Sequence, residues 1–292
     1  MRISFHLRQH GWAYVFIAPA LVFYSVFVLG PLAKTVQISF YEWDGITAAT
    51  AVGLDNYVRA VSDVQIIESL GHSLVFFFFY ALLPIVIGLL FTGVFARTQI
   101  RGLTFFRAIL FLPQILSTVV VAVAWRWIYD LDGPLNALLE LVGLGDYSRA
   151  WLGDFSTALP SVGLIGTWVM YGLCMVLFIA GIQKIPREIY EAARMDGAGM
   201  FREFMTVTLP GIRGEIMFAM IFTVTVALRN FDIVWNTTSG GPGDSTKVPS
   251  IFIYQAAFIT RDIGLSAAIG VLLTLLILSV TGIIIATMRE RD

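Results

Sequence analysis

Gly240-Gly241-Pro242-Gly243-Asp244-Ser245-Thr246-Lys247 is the stretch of this sequence that comes nearest to a phosphate-cradling loop. Such a loop closes on Gly-Lys-[Ser/Thr], so that backbone N–H groups, a lysine and a hydroxyl converge on phosphate and metal. That close is missing, and Gly with Pro at these positions predicts a tight turn instead. His6, His10 and His72 make no metal-ligand set. The single cysteine, Cys174, excludes an internal disulfide and a Cys-rich metal site. No nucleophile elbow and no His-Glu-x-x-His occurs. The chain is therefore expected to be no enzyme and to hold no metal. Arg229 and Asp232 stand three apart in an apolar run, where ionisable groups are costly. Helical spacing would let them pair on one face or line a path.

The elements that must position these groups follow from composition. Of 292 residues, 58% are hydrophobic and 13% charged, against about 25% charged in an average soluble domain. That excludes a disordered chain. A net charge of −1 with no basic stripe argues against a nucleic-acid partner. Stretches of about 20 apolar residues cross a bilayer as helices, and residues 12–32, 72–95, 105–128, 161–182, 215–235 and 265–288 qualify. Runs such as Val75–Tyr80 do not alternate, which excludes barrel strands. Pro19 and Pro31 in the first span make it unlike a signal peptide. Pro84 and Pro113 lie within later spans, where neighbours can re-satisfy the carbonyls a proline frees. The expected fold is an all-α membrane protein of six transmembrane helices in a single domain over residues 1–292.

Basic residues set the orientation. With the N-terminus inside, Arg2, Arg8, Arg97, Arg101, Arg107, Lys184, Arg187, Arg194, Arg202, Arg213, Arg289 and Arg291 face the cytoplasm. Half as many, Lys34, Arg59, Arg126, Arg149, Lys247 and Arg261, fall outside. Both termini are expected in the cytoplasm, and the outer loops are acidic.

The inner loop over residues 183–213 holds the densest pattern. Pro186 suits a first helical position, Glu188 suits the first turn, and Gly197 or Gly199 supplies the stop. A short amphipathic helix results, with Ile189, Ala192, Ala193 and Met195 on one side and Glu188, Glu191 and Arg194 polar. Residues 201–206 add a turn or two before Pro210. By itself this helix would lie on the membrane surface.

Glu191-Ala192-Ala193, then Gly197, then Val207, Leu209 and Pro210 resembles the cytoplasmic signature of bacterial ABC importer permeases. The likeness extends along the chain through Gly53-Leu54-Asp55-Asn56-Tyr57, through Gly102–Pro113 with Trp125 and Gly133-Pro134-Leu135-Asn136, and through Asn230-Phe231-Asp232 with Gly240–Gly243. These are similar to the carbohydrate-uptake group of the maltose type, and to the first of its two permeases. The chain lacks the large outer domain and two extra N-terminal spans of the maltose relative.

The resemblance implies a multi-pass subunit of a bacterial or archaeal cytoplasmic membrane that translocates a sugar or oligosaccharide. It implies a second homologous permease, two ATPase subunits that hold ATP and Mg, and an extracytoplasmic solute-binding protein, with no cofactor in this chain. Coupling to the ATPase falls on Glu188, Glu191, Ala192, Ala193, Asp196, Gly197, Leu209 and Pro210. The sugar path falls on Val169, Met170 and Leu173 in the fourth span, and on Thr223, Val226, Ala227 and Asn230 in the fifth. Thr223, Ala227 and Asn230 share a face by helical spacing. Ala227 stands where the maltose relative has an amide, and Leu173 where it has an aromatic. Glycerol phosphate is the alternative solute, with Arg229 as its cation, and an ion-coupled secondary transporter is the rival class. The latter would need an acid at mid-membrane, and Asp232 lies near a span's end.

Overall fold

The computed structural model describes residues 3–95 and 103–288. Arg2, Arg97, Arg101, Gly102, Arg289 and Arg291, all used in the sequence reading, lie outside the described residues. Contacts group the chain into two compact units. One holds the N-terminal part to Ser62 with Ile253–Leu272; the other holds Asp63–Phe252 with the part from Leu273 onward.

Among the described residues, four helices are long and apolar enough to cross a membrane: Tyr14–Ile38, Val64–Gly93, Ala158–Ile182 and Ile263–Met288. Two further candidates among them are bent pairs, which makes four spans, or up to six if each pair is one. Phe105–Ile115 meets Thr118–Ile128 at 97°, and Met200–Gly211 meets Arg213–Leu228 at 69°. The 105–128 run is thus not one straight helix. Ser117 is extended (φ −59°, ψ 135°) and takes the N-cap position of the second piece, a place serine favours. The 215–235 run is not one helix either. It ends at Leu228, and a new helix begins at Asp232.

Three prolines are accommodated in one way. The residue before each donates to a carbonyl five positions back: Gly30 to Ser25, Leu83 to Phe78, and Leu209 to Phe204. Proline has no N–H and its ring collides with the carbonyl four back. A wider π-turn just before it relieves that collision. The helix through Pro31 consequently stays unbroken to Ile38.

Within the first unit, Asn56 sits at the centre. Its Nδ2 donates to the carbonyls of Ser39 (3.1 Å) and Tyr41 (2.9 Å), and Arg59 donates to its Oδ1. Arg59 also pairs with Asp262 at 2.6 Å. Gly264 has room for no side chain, because the Tyr41 carbonyl and the Asn56 amide occupy the place of a Cβ.

The second unit is built on Ala158–Ile182, most of whose residues are buried. Glycines bring neighbours onto it. The Phe79 ring fills the Cβ place at Gly163, the Tyr80 ring that at Gly166, and the Leu110 carbonyl that at Gly172. At Gly88 the approach is reversed, with Cys174 and Met175 against it. Cys174 is fully buried among Ile85, Phe178 and Ile212, as expected of a small hydrophobe. On the loop side, Asn136 donates to the carbonyls of Asp130, Leu131 and Arg149 and accepts from Trp151 Nε1 at 2.8 Å. The Gly240–Lys247 stretch folds into a knot in which buried Thr246 bonds the Gly241 carbonyl and Thr238. It is a turn, as its composition predicts.

Candidate functional site

The loop between Ala158–Ile182 and Arg213–Leu228 forms a helix at Arg187–Met195. Pro186 is the residue before it rather than its first, since its ψ of 140° is extended. Glu188 does lie in the first turn, and Arg194 in the last, both favourable to the helix dipole. Gly197 is the stop. Its φ is +75°, its N–H donates to Arg194 and the Ala198 N–H reaches back to Ala193, each at 3.0 Å. That pair of bonds is the Schellman closure, which needs a left-handed residue. Nothing lies within 4 Å of a Cβ at Gly197, so backbone conformation alone calls for glycine. Gly199 has an ordinary φ of −73° and starts the next helical segment, which runs through Met200–Gly211.

Three side-chain links brace this loop. Arg194 Nε donates to Glu203 Oε2 at 3.1 Å, with Glu203 only 3% exposed. The hydrogen bond to Glu203, then its charge, pushes the Arg194 guanidinium above its ordinary value. Tyr190 and Thr208 share a hydrogen bond of 3.2 Å. Lys184 pairs with Glu215 at 2.8 Å, and Glu215 lies over Gly181. Ile212 anchors the far end in the core.

The helix so held buries none of its residues. Glu188, Glu191, Ala192, Asp196 and Gly197 are exposed, as is Pro210, while Ala193 and Leu209 are half-buried. Ile189 is 48% exposed and Met195 88%, and Met200 and Phe201 beside them are exposed too. The helix is thus braced while its apolar side faces outward.

The expected path residues are brought together only in part. Val169, Met170 and Ala227 join one buried cluster with Phe76, Tyr80, Ile233 and Val234, and Val226 packs against it. Leu173 is half-buried and belongs to neither core cluster. Thr223 is buried, but its hydroxyl donates to Ala219 of its own helix at 2.7 Å. Asn230 does not continue the face of Thr223 and Ala227, because it lies beyond the helix end at Leu228. It is nevertheless buried, and its carbonyl accepts from Ser250 at 2.7 Å.

The expected Arg229–Asp232 pair on one helical face is corrected. Arg229 caps one helix with φ −94° and ψ 9°, and Asp232 opens the next. Both are exposed, and no ion pair among the described residues joins them. Tyr80, fully buried against Asn230, is absent from the sequence-derived path. Its signal was the proline four residues on, which forces the π-turn carrying it.

Residues 84–289 match the sequence pattern of the binding-protein-dependent transport system inner membrane component. The chain belongs to that family. It is the permease subunit of an ABC importer and a multi-pass membrane protein. It is 36% identical to a probable ABC transporter permease of Bacillus subtilis, YurN, over 92% of each chain. It is 31% identical to the trehalose/maltose transport system permease MalF of Thermococcus litoralis, covering 97% of this permease and 96% of that one. With a diacetylchitobiose uptake system permease of Streptomyces coelicolor, NgcF, identity is 32% over 88% and 76%. A bacterial ABC transporter that imports alginate has the same fold, with a TM-score of 0.78 at 19% identity over 99% of both chains.

Proposed function

We propose that this permease carries a neutral sugar or short oligosaccharide inward, driven by ATP hydrolysed on two separate subunits. A soluble binding protein delivers the sugar, and a second, homologous permease completes the path. The relatives named for trehalose/maltose and diacetylchitobiose transport support that substrate class. Each bent pair counts as one span in this reading, giving six, with both termini in the cytoplasm.

The observation that carries the reading is the braced, outward-facing helix Arg187–Met195. Its exposed Ile189, Ala192 and Met195 seat in the ATPase, and Glu191 meets a basic group there. When the ATPases close on ATP, the links Arg194–Glu203, Tyr190–Thr208 and Lys184–Glu215 pass the motion to Arg213–Leu228. Rigid elements of this kind carry coupling because they move as units. The helices then rock about a site beside the break in span five at Arg229–Phe231. Broken membrane helices are tolerated where they line a cavity or lie within protein.

The test is ATP-dependent uptake by the complex reconstituted in vesicles with its binding protein. Labelled trehalose, maltose, lactose and diacetylchitobiose are offered beside glycerol phosphate. Uptake of one of the sugars is expected. Uptake of glycerol phosphate alone, or uptake driven by an ion gradient without ATP, overturns the reading.

A further inference from the structure

Tyr80 is fully buried and Asn230 is 6% exposed. The Asn230 side chain approaches the Tyr80 hydroxyl, but the two make no hydrogen bond of 3.5 Å or less, and neither that hydroxyl nor Asn230 Nδ2 has another partner among the described residues. A buried polar group left unpaired costs about 1–3 kcal/mol, and a phenylalanine at position 80 would avoid the cost entirely. Packing does not require the hydroxyl. The ring is already fixed, edge-on to Phe76 at 5.6 Å between centroids and seated on Gly166, where a Cβ would strike it.

Both groups lie where regular helix gives way. Tyr80 is in the π-turn Phe78–Leu82 that precedes Pro84. Asn230 is in the break between Leu228 and Asp232. π-Turns within helices mark functional sites more often than chance allows, and broken membrane helices mark substrate sites. Here one of each meets in a single buried cluster. The wall around them is apolar, with Val169, Met170 and Ala227. Two polar groups on an apolar wall is the make-up of a small-molecule site.

We propose that Tyr80 is a substrate-selecting residue whose hydroxyl, with the Asn230 amide, binds a sugar hydroxyl when the helices part. The inference rests on the sugar-importer reading above. The phenol donates to the sugar oxygen and the amide donates or accepts beside it. No charge is involved, so the pair suits a neutral hydroxylated ligand. In the closed arrangement the two groups face each other and the path is shut.

The experiment uses the assembled transporter in vesicles with the sugar that the wild type takes up. Tyr80→Phe removes only the hydroxyl. It is expected to assemble normally, to melt no lower than wild type, and to raise KM for uptake about 10-fold, since a lost hydrogen bond of about 1.4 kcal/mol changes binding by that factor. A deoxy analogue lacking the contacted hydroxyl should be carried equally by both. Unchanged KM in Tyr80→Phe with wild-type uptake intact overturns this inference and leaves the importer reading standing. If Tyr80→Phe fails to assemble, Asn230→Asp serves, and an unchanged KM there overturns it likewise. Absence of any sugar uptake by the wild type overturns the importer reading, and the inference with it.

Discussion

The hydroxyl of Thr167 donates to the carbonyl oxygen of Phe79 at 2.6 Å, from one buried helix to its neighbour. The bond has a specific cause. In the π-turn before Pro84, Leu83 bonds the carbonyl of Phe78, so the next N–H would be due to Phe79. That next residue is proline and has none. Thr167 takes up the carbonyl that Pro84 leaves open, as membrane helices must when a proline interrupts their ladder. Thr167→Val removes the donor and leaves the carbonyl buried. It should destabilise the purified transporter by about 1–3 kcal/mol, seen as a lower melting midpoint, while Thr167→Ser should melt near wild type.

Gly172 and Gly282 are both helical, but only the first is crowded. A Cβ at Gly172 would collide with the Leu110 carbonyl oxygen, whereas nothing lies within 4 Å at Gly282. Backbone cannot swing aside as a side chain can. Gly172→Ala should cost about 1–3 kcal/mol of stability. Gly282→Ala should be neutral or stabilising by up to about 1 kcal/mol. Melting curves of the two variants side by side distinguish them.

Gly197 and Gly199 make a second matched pair. Only Gly197 has positive φ, and a non-glycine residue there costs about 1–2 kcal/mol. Gly197→Ala should loosen the Schellman closure, speed exchange of the Ala198 amide and lower uptake. Gly199→Ala should change neither. Gly197→Pro should abolish uptake while membrane insertion persists.

Arg194 and Glu203 join helix Arg187–Met195 to the segment that leads into Arg213–Leu228. Arg194→Ala leaves a buried carboxylate without this partner. The loss should exceed the about 1 kcal/mol of a fully exposed pair and should appear as fewer sugars carried per ATP hydrolysed. Arg194→Ala and Glu203→Ala should be less than additive in a double-mutant cycle.

Asp154 accepts from the Ser156 hydroxyl at 2.6 Å and its N–H at 2.7 Å. These bonds, the side-chain one foremost, hold its carboxyl below the ordinary 3.8. A carboxylate with a depressed folded pKa contributes stability above its unfolded value and loses it as pH falls through the folded one. Order in the loop around Ser156 should therefore persist through neutral pH and fade below about pH 4. Proton exchange of the Ser156 amide, normalised for its intrinsic pH dependence, reports this.

The helix Arg187–Met195 and its stop at Gly197 were legible in the sequence because their determinants are local. Glu188, Arg194 and Gly197 act within one short helix, and their types state their places. The apolar runs were legible as membrane segments, but their directions were not. The sequence is equally apolar on both sides of Ser117, so the bend there leaves no mark on composition. The Arg229–Asp232 spacing misled because i, i+3 means a shared face only within an unbroken helix. Tyr80 was missed because its burial depends on Gly166, 86 positions away, and on Asn230 beyond that. No periodicity within span two records either contact.

The helix Arg187–Met195 is proposed to seat in an ATPase subunit. Ala192 is exposed on it, and the single native cysteine, Cys174, is buried and its thiol inaccessible. An Ala192→Cys variant labelled with a photoreactive maleimide, assembled and irradiated in membranes, measures the contact directly. An adduct with the ATPase subunit is expected from position 192 and none from a Gly143→Cys control, on a loop that the six-span reading places on the other side. Adducts with lipid alone at position 192, in a complex that still hydrolyses ATP and carries sugar, would contradict that seating.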